Sequence, residues 1–395
     1  MSQVQGTTTE KFAGLVDHLQ NSLDSGADVG ASISVFHHEE LVADLWGGYR
    51  DEAKTVLWDR DTLVNVWSTT KTMTFLVALM LFDRGELDFN TPVAAYWPEF
   101  AANGKEDIEV RHLMNHCSGL SGWQEPMSIE DLADWELATS RLAAQEPWWR
   151  DRTLTGYHAV TQGYLIGEVV RRITGTTIGR FFKSEVADVL GVHFFIGLPE
   201  SEEHRVSVVI PPPPEDFSND APDSIRARTL WQIDDFAVAP RSRLWRAAEI
   251  PAANGHGNAL SVATVQQVMA NKGHVNGHRF FSEKTGDMVF ERQVGGVDQV
   301  LGVDMSFGLG YGLASSYAPI GPRTTSIRSM SPSVSTPKLN APSGSAPSLI
   351  GMPSSSTSTW SELVPRMNTL ALPPGPPDCE TRTPGSADSA SVSVS

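Results

Sequence analysis

The stretch Val66-Trp67-Ser68-Thr69-Thr70-Lys71-Thr72-Met73 (VWSTTKTM) puts a serine three residues ahead of a lysine, and an apolar run follows at once. At helical spacing the two side chains share one face and can reach each other. A serine hydroxyl is a weak nucleophile until a neighbour takes its proton. A lysine can do so only when neutral, and burial in apolar surroundings lowers its pKa by penalising the charged form. The residues behind Lys71 (Met73, Phe75, Leu76, Val77, Leu79, Met80, Leu81, Phe82) supply such surroundings. They predict a helix from about Ser68 to Gly85 that is apolar on nearly every face and so buried on all sides. Free N–H groups at its start would favour negative charge near Ser68. Spacing alone is weak, because a Ser-x-x-Lys pair arises by chance about once in a chain of this length. Ser335-Thr336-Pro337-Lys338 repeats it, and Ser68 also reads as a plain N-cap.

Outward from this stretch, about Thr9–Leu23 has the apolar spacing of an amphipathic helix. The runs Ala31–Phe36 and Leu41–Trp46 read as a β-hairpin around His37-His38-Glu39-Glu40. That His/Glu group lacks the His-Glu-x-x-His spacing of a metal site and reads as a solvated turn. Helices are expected at Ile129–Ala144, His158–Thr174 and Ala259–Asn271, with a shorter one near Ser224–Phe236. The segment Phe307–Leu313 (FGLGYGL) alternates glycine with bulky residues and reads as a strand. Near Ser315 the composition changes, and 315–395 is roughly half Ser, Pro and Thr, the signature of a disordered tail.

The whole chain has 395 residues, 40% of them hydrophobic, with a net charge of −17. That charge argues against nucleic acid or an anionic membrane as a partner. Two cysteines far apart point to no disulfide framework and to a reducing, cytoplasmic setting. The start has no signal-peptide pattern. The apolar run Met73–Phe82 is too short to span a bilayer, which needs about 20 residues.

Three ordered elements carry a resemblance. The segment from Trp67 to Phe100 resembles the approach to the catalytic helix of the serine β-lactamase and penicillin-binding-protein superfamily. Leu113, His116, Ser118, Gly119 and Leu120, in VRHLMNHCSGLSGW, resemble its Leu-Leu-x-His-x-Ser-Gly-Leu element. Tyr157, just before a helix in GYHAVTQGYLIGEVVRRITG, resembles its catalytic tyrosine. The chain is most similar to esterase-like members close to class C β-lactamases, over about residues 9–314. The resemblance implies a mixed α/β fold: an antiparallel sheet flanked by helices, with a helical subdomain at about 88–250 and the pocket between them. It implies Ser68 as nucleophile, with Lys71 and Tyr157 sharing proton transfer, and leaves open which of them is the base in acylation. His116 and Ser118 would hold the loop after the helix. No cofactor or metal is implied.

Two departures stand out. The usual pattern has asparagine two residues after the tyrosine, where this chain has Ala159, which argues for esters over β-lactams. The superfamily's third element is a strand with a short glycine-ending motif that supplies the second oxyanion donor. No such motif follows FGLGYGL, so the C-terminal part reads as incomplete, the change at Ser315 as a frame shift or retained intron, and the activity of this chain as impaired. The expectation is a serine hydrolase acting on a small-molecule ester through an acyl-enzyme. Its alternatives are an acyltransferase using the same acyl-enzyme and a catalytically impaired β-lactamase-like protein. Gly-x-Ser-x-Gly and nucleotide-binding motifs are missing, which sets aside an α/β-hydrolase, phosphate chemistry and hydride transfer.

Overall fold

The computed structural model describes residues 3–211, 220–230, 233, 235–318 and 390–394. Strands β1 (Gln5–Thr8), β2 (Gly30–His37) and β3 (Glu40–Gly48) form an antiparallel sheet in the order β1-β3-β2. The β2–β3 turn needs left-handed backbone at His38 and Glu39 (φ 50° and 67°), as a tight hairpin does. Helix α1 (Gly14–Ser25) packs on this sheet through Leu15 and Leu19, which meet Ile33, Val35, Ala43 and Leu45.

Helix α2 (Thr70–Asp83) is the hub of the larger core. Because it is apolar all round, only burial on every side satisfies it. Helix α3 (Trp135–Ala144) and helix α4 (Thr161–Thr174) lie on one side, with α4 directly against α2. Three two-residue strands, β4 (Val64–Asn65), β5 (Phe194–Phe195) and β6 (His256–Gly257), form a small sheet in the order β4-β6-β5 beside the start of α2. Helix α5 (Ala259–Ala270) follows β6, joins the same core and lies against β2. Two hairpins follow: β7 (His274–Val275) with β8 (His278–Arg279), and β9 (Val294–Val297) with β10 (Asp304–Phe307). Among the described residues no helix is long and apolar enough to cross a membrane.

The structure corrects three sequence expectations. The helix at Ile129–Ala144 is two helices, Ile129–Ala133 and α3, because the Asp134 carboxylate accepts the Leu137 N–H at 3.0 Å and starts a new helix. FGLGYGL is not a strand throughout. Pairing in β10 ends at Phe307, and the chain then reverses, with Gly308 N–H donating to Tyr311 O at 2.9 Å and Gly310 at φ 88°. The alternating glycines serve that reversal and not a pleat. The third concerns the tail, whose composition predicts disorder throughout and so no strand. Ala390–Val394 (ASVSV) forms β11, antiparallel to β2 from Ala390↔His37 to Val394↔Ile33, with α5 against it. Its period-two alternation suits a strand, and the edge of β2 offers unpaired backbone groups. The expected disorder falls mostly on 319–389, which lies outside the described residues, as do Ser335 and Lys338.

Candidate active site

Ser68 sits in a single 3₁₀ turn, Trp67–Thr69, that runs directly into α2. The residue before it, Trp67, has φ 45°, a conformation that a bulky side chain rarely adopts. Such strain persists only where the surroundings enforce it, and it is frequent at functional sites. Here the ties are explicit. Thr70 Oγ1 donates to Trp67 O at 2.5 Å and accepts from Gly255 N–H at 2.8 Å, while Val66 N–H donates to Gly255 O at 2.8 Å. The Trp67 ring packs against Phe236 and Trp245.

Lys71 is one helical turn on and almost fully buried. Its Nζ lies 3.2 Å from Ser68 Oγ, 2.7 Å from Ala159 O and 2.9 Å from Ala252 O. Burial lowers its pKa to about 7. A neutral amine has two N–H donors and one lone pair. With the two carbonyls taking the donors, the lone pair is left for the Ser68 hydroxyl. At Ala159, where the family pattern has asparagine, the main-chain carbonyl does the holding. The second carbonyl comes from the loop Pro251–Gly255. Thr74 Oγ1 ties that loop to α2 by donating to Pro251 O at 2.6 Å. Asn254 shapes it, accepting from Ile250 N–H and donating to Trp245 O and Ala248 O. Gly163 of α4 lets the loop come close, since a Cβ there would sit 2.5 Å from Ala252 N.

Tyr157 enters from the segment before α4. Its ring centroid is 5.0 Å from Lys71 Nζ. Its hydroxyl is buried and has no partner at full hydrogen-bond geometry among the described residues. It is nevertheless near enough to Ser68 for that hydroxyl to pull the phenol's pKa down, against the larger upward push of burial. Three successive backbone N–H groups fix the segment. Gly156 N–H donates to His116 O at 3.1 Å, Tyr157 N–H to Asp298 Oδ1 at 3.0 Å, and His158 N–H to His116 Nδ1 at 3.0 Å. Because Nδ1 accepts, His116 is neutral with its proton on Nε2, and burial holds its pKa well below the usual range. Its ring also packs on Tyr157, with centroids 4.7 Å apart. Ser118 Oγ meets His158 Nε2 at 2.6 Å. His116 and Ser118 thus act on the tyrosine's segment as well as on their own loop.

The structure therefore brings all three sequence-predicted residues together. Sequence reasoning missed Ala252 O, Asn254 and Asp298, which act through backbone groups or from far along the chain and carry no local motif. Neighbouring Cys117 is no rival nucleophile, because burial pushes its thiol up to about 12. Among the described residues no cluster of His, Cys, Asp or Glu is arranged to hold a metal.

A buried Ser-Lys pair with a tyrosine beside it, on this fold, defines a class: the protein is a serine hydrolase with a β-lactamase/transpeptidase-like architecture. Residues 15–346 match the Beta-lactamase family, so the match continues past the change in composition at Ser315. The chain belongs to the Beta-lactamase family. It is 34% identical over 328 residues to the esterase/beta-lactamase LipL of Mycobacterium tuberculosis, covering 78% of this chain and 74% of that protein. The crystal structure of a family VIII carboxylesterase is similar at 37% identity and a TM-score of 0.74, covering 80% of this chain and 84% of that one. EstA from Arthrobacter nitroguajacolicus Rue61a is similar at 30% identity and a TM-score of 0.73, covering 82% and 86%.

Proposed function

We propose that the protein hydrolyses small carboxylic esters through an acyl-enzyme on Ser68. The observation that carries this reading is the Lys71 amine, buried, lowered to about 7 and 3.2 Å from the Ser68 hydroxyl. A base with a pKa near the working pH is the most effective proton acceptor. As Ser68 Oγ bonds to the ester carbon, its proton passes to Lys71 Nζ and the carbonyl π electrons move onto oxygen. The Ser68 N–H is the donor assigned to the developing charge. Collapse breaks the bond to the alcohol, which leaves with a proton handed on through Tyr157. Water then attacks the acyl carbon and gives a proton to the same pair; the bond from that carbon to Ser68 Oγ breaks, the proton passes back to Ser68 Oγ and the acid leaves. Ala159 supports ester over lactam substrates, since it offers no side-chain amide and its carbonyl is engaged by Lys71.

The test is labelling with a fluorophosphonate, followed by peptide mass spectrometry, beside hydrolysis of an aryl ester. The expected result is label on Ser68 and loss of both label and turnover in Ser68→Ala, by several orders of magnitude. Hydrolysis that survives Ser68→Ala would refute the nucleophile. Product transfer to an added alcohol, in preference to water, would make the enzyme an acyltransferase instead.

A further inference from the structure

Asp298 sits in the turn of the β9–β10 hairpin, 141 residues from the tyrosine that it touches. It is fully buried. One carboxylate oxygen, Oδ1, accepts three N–H groups: Tyr157 at 3.0 Å, Val300 at 2.9 Å and Leu301 at 2.9 Å. The other oxygen, Oδ2, has no hydrogen-bond partner among the described residues. A second strut runs parallel, with Gln299 N–H donating to Thr155 O at 2.8 Å. The bonds to Val300 and Leu301 fold the hairpin's own turn, as aspartates commonly do. The bond to Tyr157 does not serve the turn.

A buried carboxylate costs several kcal/mol in desolvation unless its hydrogen bonds offset it. An asparagine would fold the same turn without burying a charge. The carboxylate is therefore better explained by the strength of a charge-assisted bond to the tyrosine's backbone. We propose that Asp298 is a positioning residue, fixing Tyr157 against Ser68 and Lys71 by locking the β9–β10 turn onto the tyrosine's main chain. Of the three anchors on Gly156–His158, two come from His116, and only Asp298 reaches the middle residue. The Asp298 charge also adds to burial in keeping the phenol protonated at rest, which suits a group that hands a proton to the leaving alcohol. This inference rests on the reading of Tyr157 as a proton carrier.

The test is a double-mutant cycle in the full chain, with kcat and KM for an aryl ester measured for Asp298→Ala, Tyr157→Phe and the double variant. Asp298→Ala should lower kcat by about 10²-fold, the effect of a misplacement of about 1 Å, with KM within about threefold. In the Tyr157→Phe background it should cost no more than about threefold further, because the group that it positions is already gone. Asp298→Asn, which keeps an acceptor oxygen, should recover kcat to within about tenfold of the parent. Should Asp298→Ala not fold, Asp298→Ser still closes the turn through its hydroxyl but is too short to reach Tyr157 N–H, and the same loss is expected. An unchanged kcat, or a full second loss in the Tyr157→Phe background, would overturn the role of Asp298. A Tyr157→Phe variant with parental kcat would overturn the proton-carrier reading itself, and that result is separately visible.

Discussion

Lys71→Met tests the site and its energetics at once. Lys71 is an ionisable group held in an apolar setting, and its displacement from 10.5 to about 7 corresponds to about 5 kcal/mol, at about 1.4 kcal/mol per tenfold change. The sign follows from proton counting. Between about pH 7 and 10.5 the unfolded chain carries a proton on this lysine that the folded chain lacks, so stability rises with pH across that window. Below about 7 both states are protonated, and the full cost of the buried charge is felt. Methionine removes this dependence while keeping the bulk. It also leaves Ala159 O and Ala252 O without a donor, at about 1–3 kcal/mol each, so the absolute stability at neutral pH changes little. The decisive quantity is the double difference. Urea unfolding of parent and variant at about pH 7 and about pH 9.5 should show the parent gaining about 3 kcal/mol relative to the variant. In parallel, kcat/KM of the parent should fall below about pH 7 as Lys71 takes up a proton, and the variant should lose about 10²–10⁴-fold. His158, lowered to about 3, and His116, lowered well below the usual range, leave that limb to Lys71. Unfolding curves that move in parallel between the two pH values would show that Lys71 is not held neutral in the fold.

Three further outcomes are expected. Asn254→Ala should loosen the loop that presents Ala252 O, costing about 2–4 kcal/mol in thermal unfolding through its lost buried hydrogen bonds, with a matching fall in kcat. Gly163→Ala should destabilise by about 1–3 kcal/mol, because its Cβ would meet Ala252 N at 2.5 Å, and wild-type stability and turnover would refute the close packing. Truncation before Ala390 should leave the edge of β2 open and raise self-association in light scattering, whereas scattering equal to that of the full chain would show that β11 does not shield it.

How much of this was legible beforehand follows from the range of the interactions involved. The nearness of Ser68 and Lys71 was readable because helical geometry over three residues is local: the spacing fixes which side chains share a face, while the chemistry proposed for them needed the resemblance as well. The burial of α2 was readable for the same reason, since a helix with no polar face has one stable environment. The β2–β3 hairpin came from a pattern of comparable span, whereas Tyr157 came from its resemblance to the superfamily's catalytic tyrosine. The helix break at Asp134 and the reversal at Gly308–Tyr311 depended on single hydrogen bonds that compete with periodicity, and the pattern could not weigh them. The pairing of β11 with β2 depended on an edge that only the assembled sheet leaves open. From the sequence came the Ser68–Lys71 spacing and the buried helix behind it, and from the family resemblance came the reading of Ser68 as nucleophile with Lys71 and Tyr157 sharing proton transfer. Tertiary structure alone decided what holds them: Ala252 O and Asn254 on one side, His116 and Asp298 on the other. Backbone carbonyls look alike in every sequence, and a carboxylate 141 residues from its partner becomes part of a site only when the fold closes that distance.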